Sequence, residues 1–262
     1  MPIVEKHQPG DFCWMELATT DQSAAKKFYA ELFGWATSDT PMGPDDFYTT
    51  FKIDGRDVGA AYTLRAEQRA QGIPAHWNLY VAVQDADGAA GRATALGAKV
   101  LAVPFDVFDI GRMAVLQDPT GANISVWQAK RQSGFGIRGV PGTFCAADLS
   151  TSDQEAASRF YEQLFAWRVG KEDETPGHNY YHLFHHDEYI GGILPPAFRN
   201  PLTPPYWQIY LQVSDCDATA GNAKKLGANL YMPPMKVEDV GRMAVLADPQ
   251  GAAFAVFEPS HR

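Results

Sequence analysis

The feature that most constrains this chain is that it is written twice. Phe12-Cys13 recurs as Phe144-Cys145, Asp21 as Asp153, Phe28-Tyr29 as Phe160-Tyr161, Leu32-Phe33 as Leu164-Phe165 and Trp35 as Trp167, each 132 residues on. Later the offset is 130. Trp77 recurs as Trp207, Tyr80 as Tyr210, Gly97 as Gly227, Gly111-Arg112-Met113 as Gly241-Arg242-Met243, and Asp118-Pro119 as Asp248-Pro249. The second half therefore loses a net two residues between Trp167 and Trp207. A repeat this long is a duplicated domain, not a solenoid, whose repeats run roughly 20 to 50 residues. The 262 residues suit two domains of ordinary size. A domain of about 130 residues buries roughly two-thirds of the surface its unfolded chain exposes.

Each half contains its own shorter repeat. Phe12–Ala18 alternates as a strand, with Trp14, Glu16 and Ala18 on one face and Cys13, Met15 and Leu17 on the other. Thr20-Asp21 offers a helix N-cap. Ala25, Phe28, Tyr29, Leu32 and Phe33 follow with amphipathic helical spacing, and Gly34 stops the helix. Strands are expected near Trp35–Ser38, Tyr48–Ile53 and Val58–Thr63, with a hairpin turn at Asp54-Gly55. Arg65–Ala75 is polar and irregular. The plan then restarts: a strand at Trp77–Val83, a helix over Ala86–Leu96 capped by Asp85 and ended by Gly97, a strand at Lys99–Val103, and the pair in Gly111–Trp127. In GRMAVLQDPTGANISVW, Asp118-Pro119-Thr120-Gly121 is turn chemistry, because Pro presets φ and Gly accepts a positive one. Asp21 and Asp85 lie 64 residues apart, which sets the inner period. Helices of the second half are expected near Gln154–Phe165 and Ala218–Leu226, and Asn200–Pro205 is an extended loop.

Charge and cysteine content narrow the function. Lys plus Arg number 22 and Asp plus Glu 31, a net charge of −9, which argues against nucleic acid or an anionic membrane as partner. Cys13, Cys145 and Cys216 are odd in number and lack CxxC spacing, so they read as reduced thiols. The first residues, MPIVEKHQPGDF, have no apolar signal core, and no run of about 18 apolar residues occurs. The expectation is a cytoplasmic protein, monomer or homodimer, with a small-molecule ligand and no nucleic-acid or membrane partner.

Four βαβββ units, the DQSAAKKFYAELFGW helix and the GRMAVLQDPTGA hairpin resemble the vicinal oxygen chelate superfamily of glyoxalases, bleomycin-resistance proteins and extradiol dioxygenases. The resemblance runs from about Gly10 to Glu258 and is greatest to two-domain, glyoxalase-like actinobacterial proteins, some of them labelled hydroxylases. It implies an α+β fold: tandem duplicated domains, each of two βαβββ units forming curved half-barrel sheets around a cavity. The expected domains are 10–129 and 143–259, with 130–142 as linker. It also implies His, Glu or Gln ligands around a divalent metal, seven residues before each helix-opening Asp and four after the Gly of the DPxG turn. Those places hold Trp14, Asn78, Ala146, Gln208, Ser125 and Ala255. Trp and Ala cannot ligate a metal, and only Gln208 is of a family ligand type. No metal and no cofactor are expected.

Glu16 shares a strand face with Trp14, and Asp148 holds the matching place beside Ala146. Burial would raise such a carboxylate's pKa and suit it to general base work. Alternatively each pairs structurally with an arginine, Arg112 or Arg242. Glu16 and Asp148 are the candidate catalytic residues. Trp14, Asn78, Tyr80, Ser125, Gln208, Tyr210, Arg112 and Arg242 are the candidate substrate-binding residues. Trp77 and Trp207 have the opposite parity and read as core. His178, His182, His185 and His186 are the alternative metal cluster, with His182 and His186 on one strand face. Three functions stay open: a metal-independent pocket that binds or transforms a small, partly aromatic compound, a metal-dependent lyase or dioxygenase with atypical ligands, and a protein that sequesters a drug or toxin.

Overall fold

A computed structural model describes residues 3–44, 46–171 and 179–260. The first half runs β1 (Phe12–Thr19), α1 (Gln22–Phe33), β2 (Ala36–Pro41), β3 (Phe47–Ile53), β4 (Arg56–Thr63), α2 (Ala66–Ala70), β5 (His76–Ala82), α3 (Ala86–Ala95), β6 (Lys99–Val107), β7 (Gly111–Gln117) and β8 (Asn123–Ala129). The second runs β9 (Phe144–Ser150), α4 (Gln154–Phe165), β10 (Arg168–Lys171), β11 (Tyr181–His185), β12 (Glu188–Ile193), a 3-10 turn at Pro196–Phe198, β13 (Tyr206–Gln212), α5 (Cys216–Lys225), β14 (Asn229–Val237), β15 (Gly241–Ala247) and β16 (Ala253–Pro259). Each half builds one eight-stranded sheet, β2-β3-β4-β1-β5-β8-β7-β6 and β10-β11-β12-β9-β13-β16-β15-β14. The two βαβββ units of a half meet where β1 pairs antiparallel with β5, and β9 with β13. This is the expected α+β architecture of two duplicated domains.

Local chemistry sets the elements. The Asp21 and Asp153 carboxylates cap α1 and α4 by accepting from Ala24 N and Ala156 N at 2.9 Å. The Asp118 Oδ1 atom accepts from the backbone of Thr120 and Gly121 at 2.8 Å and of Ala122 at 3.0 Å, while Gly121 takes φ 105°. The same aspartates do a second job across the molecule. Tyr161 of α4 donates to Asp118 Oδ2 at 2.8 Å, and Tyr29 of α1 donates to Asp248 Oδ2 at 3.1 Å. Each hydroxyl also accepts an indole N–H, from Trp207 and Trp77 respectively. Trp77 and Trp207 are thus core residues, and each turn fastens its domain to the other's first helix.

Three expectations change. Arg65–Ala75 contains the helix α2, where the Gln68 side chain accepts from Arg65 N at 2.9 Å. Its five residues bury nothing, so no apolar period marks it. Lys130–Gly142 is more than a tether: Phe135 is fully buried, donates its N–H to Cys13 O and stacks on Phe144. His182 and His186 do not share a strand face, because His186 sits in the turn after β11 with φ 47°. His178 lies outside the described residues. His185 is buried, and its Nδ1 lies 3.2 Å from Asp11 Oδ1. Cys13 and Cys216 are buried, and the Cys145 thiol is pushed up to about 12 by burial. Among the described residues no helix is long and apolar enough to cross a membrane.

Candidate functional site

Alternation along β1 sends Cys13, Met15 and Leu17 into the core and turns Trp14 and Glu16 to the other, inner face. There Glu16 stands between Ala60 of β4 and Asn78 of β5, and Trp14 is opposite Tyr80, which is opposite Ser125. Tyr80 donates its hydroxyl to Glu16 Oε2 at 2.8 Å. The Tyr48 hydroxyl lies near enough to act on this carboxylate, and its oxygen accepts the Trp14 indole N–H at 3.1 Å. Tyr48 lies on β3, two strands from β1, a spacing of about 10 Å. It approaches Glu16 across the small Ala60. Burial raises the Glu16 pKa, and the hydroxyls of Tyr80 and Tyr48 oppose the rise. Tyr62 completes the wall, with Gln68 of α2 and Asn78 near its hydroxyl. Glu16, Tyr48, Tyr62 and Asn78 are all half-buried, whereas the residues of β1 on either side of Glu16 are buried.

The second domain repeats this arrangement in altered form. Asp148 stands between Gly192 of β12 and Gln208 of β13. Tyr180 donates to its Oδ1 at 2.7 Å and Tyr210 to its Oδ2 at 2.9 Å. The Gly192 N–H also bears on this carboxylate. Burial raises the Asp148 pKa, and these bonds, with nearby His182, oppose the rise. A Cβ on Gly192 would lie 2.1 Å from the Tyr180 ring, so the phenol lies where Ala60 would exclude it. Tyr180 is tied in turn to the Tyr189 hydroxyl at 2.7 Å. Asp148 is only 5% exposed. It is one methylene shorter than Glu16 and has a tyrosine donor on each oxygen, so it is a sealed carboxylate.

The structure brings Glu16, Trp14, Asn78, Tyr80 and Ser125 onto one inner face, and Asp148, Gln208 and Tyr210 onto the other. Trp14 is only 7% exposed and packs on Phe135 at 5.7 Å, so it supports Tyr48 rather than forming an open platform. Arg112 and Arg242 belong to neither site. Arg112 pairs across β8 with Gln128, on the parity opposite to Met113, and binds Asp87 at 2.6 and 2.9 Å. Arg242 grips Asp217 at 2.7 and 2.9 Å. Both are helix-end ion pairs, and the expected carboxylate–arginine pairing is replaced by carboxylate–tyrosine bonds. Sequence reasoning missed Tyr48 and Tyr180 as members of the sites. Their 132-residue separation, the duplication's own offset, was the available signal.

Equivalent registers also locate the missing residues. Ala60 and Gly192 keep the 132 offset, whereas Asn78 and Gln208 are 130 apart, so the two are lost between β12 and β13, where α2 stands in the first domain. At the older offset, Tyr62 corresponds to Leu194. Gln208 consequently lacks the phenol that stands beside Asn78. Its Nε2 turns back to Ile209 O at 3.2 Å, and its Oε1 is buried without a partner.

The superfamily's divalent metal does not fit these residues. In the first domain the expected ligand places hold an indole whose N–H is committed to Tyr48, an amide beside Tyr62, and a buried serine. In the second they hold Ala146, Gln208 and Ala255. Neither set supplies a carboxylate, imidazole or thiolate. Among the described residues no three His, Cys, Asp or Glu side chains gather as metal ligands.

Comparison with known proteins bears on both halves. Residues 12–126 match the description "Glyoxalase/Bleomycin resistance protein/Dioxygenase superfamily", and residues 145–257 match "Glyoxalase-like domain". A Mycobacterium tuberculosis protein named "Putative glyoxylase CFP32" is 38% identical over 99% of each chain. The "Anthracycline biosynthesis protein DauV" of Streptomyces sp. strain C5 is 33% identical over 95% of this chain and 94% of its own. The crystal structure of a Mn(II)-bound glyoxalase from Novosphingobium aromaticivorans superposes with a TM-score of 0.64 at 16% identity, over 98% of this chain and 83% of that one. At that identity the likeness shows the fold.

Proposed function

Because the chain belongs to the glyoxalase/bleomycin resistance protein/dioxygenase superfamily, we propose that it binds or transforms a small organic compound on the inner face of its first domain, without the metal site usual in that superfamily. The observation that carries this is the half-buried Glu16 carboxylate, held by Tyr48 and Tyr80 beside Tyr62 and Asn78. The Streptomyces relative's name, an anthracycline biosynthesis protein, favours a partly aromatic organic compound over a purely aliphatic one. The sealed Asp148 favours a single working site over two equal ones.

Proton transfer is the chemistry this site supports. A carboxylate raised by desolvation is a stronger base than an exposed one and holds a proton nearer neutral pH. Tyr48 and Tyr80 fix its orientation and can turn their hydroxyls to other acceptors once it is protonated. Tyr62 and Asn78 offer a hydroxyl and an amide to polar groups of the ligand. A protein that only sequesters its ligand would use the same face without the proton step.

Tryptophan fluorescence titration against a panel of aromatic metabolites tests the reading, since Trp14 and Trp127 both belong to this face. Saturable quenching by some member, weakened in Glu16→Gln, is the expected result. Metal analysis separates the alternative. A stoichiometric divalent metal together with chelator-sensitive activity would replace this reading with a metal-dependent lyase or dioxygenase using atypical ligands.

A further inference from the structure

Resting on that reading, we infer that the group meeting Glu16 in the first domain is an organic cation, an ammonium or amidinium carried by a planar body. Glu16 is a half-buried carboxylate whose neighbours, Tyr80 and Tyr48, offer uncharged hydroxyls. The Tyr80 hydrogen bond occupies about a quarter of a carboxylate's acceptor capacity of roughly four. Among the described residues no cation is among the groups that act on it. Arg65, a basic group that bears on neighbouring Tyr62, is exposed. A desolvated charge without a counter-ion is costly, and an arriving cation offsets that cost where a neutral or anionic ligand does not.

The walls agree with this charge. Tyr48 of β3 and Tyr62 of β4 are partly open, Tyr80 of β5 lies behind them, and Trp14 and Trp127 back the same face. Aromatic ring faces attract ammonium and guanidinium groups, most strongly where water is excluded. Glu16 also differs from its duplicate in the way this role requires. Asp148 is 5% exposed and sealed by Tyr180 and Tyr210, so a cation could not reach it. The chain's net charge of −9 adds a long-range pull of the same sign.

The test uses three probes of nearly one shape on the intact protein: naphthylmethylammonium, naphthylmethanol and naphthoate, each titrated by calorimetry and by saturation-transfer NMR at neutral pH. The expected order is cation, then alcohol, then carboxylate, with the cation at least about tenfold tighter than the alcohol, as a charge-assisted bond requires. Glu16→Gln should erase that gap while leaving the alcohol's affinity within a few-fold. Equal affinity of alcohol and cation for the wild type overturns the cation assignment and leaves the pocket reading standing. Failure of all three to bind at millimolar concentration overturns the pocket reading itself. The wild-type comparison decides the matter even if Glu16→Gln does not fold.

Discussion

The two domains hold the same trio, a carboxylate on the first strand, a tyrosine on or just before the third and one on the fifth, and put it to different ends. Around Glu16 the trio is loose: the acid is long and half-buried, Ala60 separates it from Tyr48's strand, and Tyr62 stands beside Asn78. Around Asp148 it is tight: the acid is one methylene shorter, Gly192 lets Tyr180 press in, and Leu194 leaves Gln208 with an unpaired oxygen. A single methylene, a single methyl and a lost phenol are enough to turn an accessible acid into a structural one. Duplication preserved the frame and not the site.

The comparison is most directly broken by ligand affinity. Glu16→Gln should weaken binding about ten- to a hundredfold, the scale of one hydrogen bond to a charged group. Asp148→Asn should change it less than about twofold. Equal losses in a titration of both variants would make the two sites equivalent. Packing supplies the next largest effect. Gly192→Ala forces a methyl into the Tyr180 ring and should cost about 1–3 kcal/mol in chemical denaturation. Ala60→Gly should cost about 1 kcal/mol or less, through lost methyl burial and backbone freedom. If Gly192→Ala is harmless, Tyr180 is not wedged and the second site is more open than its structure.

The unpaired amide sharpens the contrast in the opposite direction. Gln208→Met removes a buried acceptor without a partner and should stabilise the protein by up to about 1 kcal/mol, whereas Asn78→Leu, at a half-buried amide beside Tyr62, should bring no such gain. A destabilising Gln208→Met would mean that the amide oxygen has a use.

The smallest effect is in pH. Glu16 and Asp148 both have folded pKa values raised by burial, so the folded state holds their protons more tightly than the unfolded state does. Their contribution to stability is therefore full below the ordinary carboxylate pKa, near about 4, and is lost as pH rises through the folded values. Asp148→Asn should flatten the melting-temperature profile above that point. A profile unchanged by the substitution would mean that the tyrosine bonds offset burial completely. Affinity for a cation runs the other way and should fall as pH drops through the Glu16 value.

Much of this was legible without coordinates, because the informative periods are local. The 132 and 130 offsets, the aspartate caps, the DPxG turns and the strand alternation determined the duplication, the elements and the face on which Glu16, Asp148, Tyr80 and Tyr210 lie. Alternation names a face, however, and not the strand that lies beside it. Only the tertiary structure decided that Tyr48 of β3 and Tyr180, just before β11, come to the two carboxylates, and that Arg112 and Arg242 serve Asp87 and Asp217 on the other side. It also decided that Phe135 of the linker packs beneath Trp14, and that the turn aspartates take a tyrosine from the opposite domain. Each of these contacts joins residues distant in the chain, and their choice depends on strand order and on the depth left by a methyl or a methylene, which no periodicity in the chain encodes.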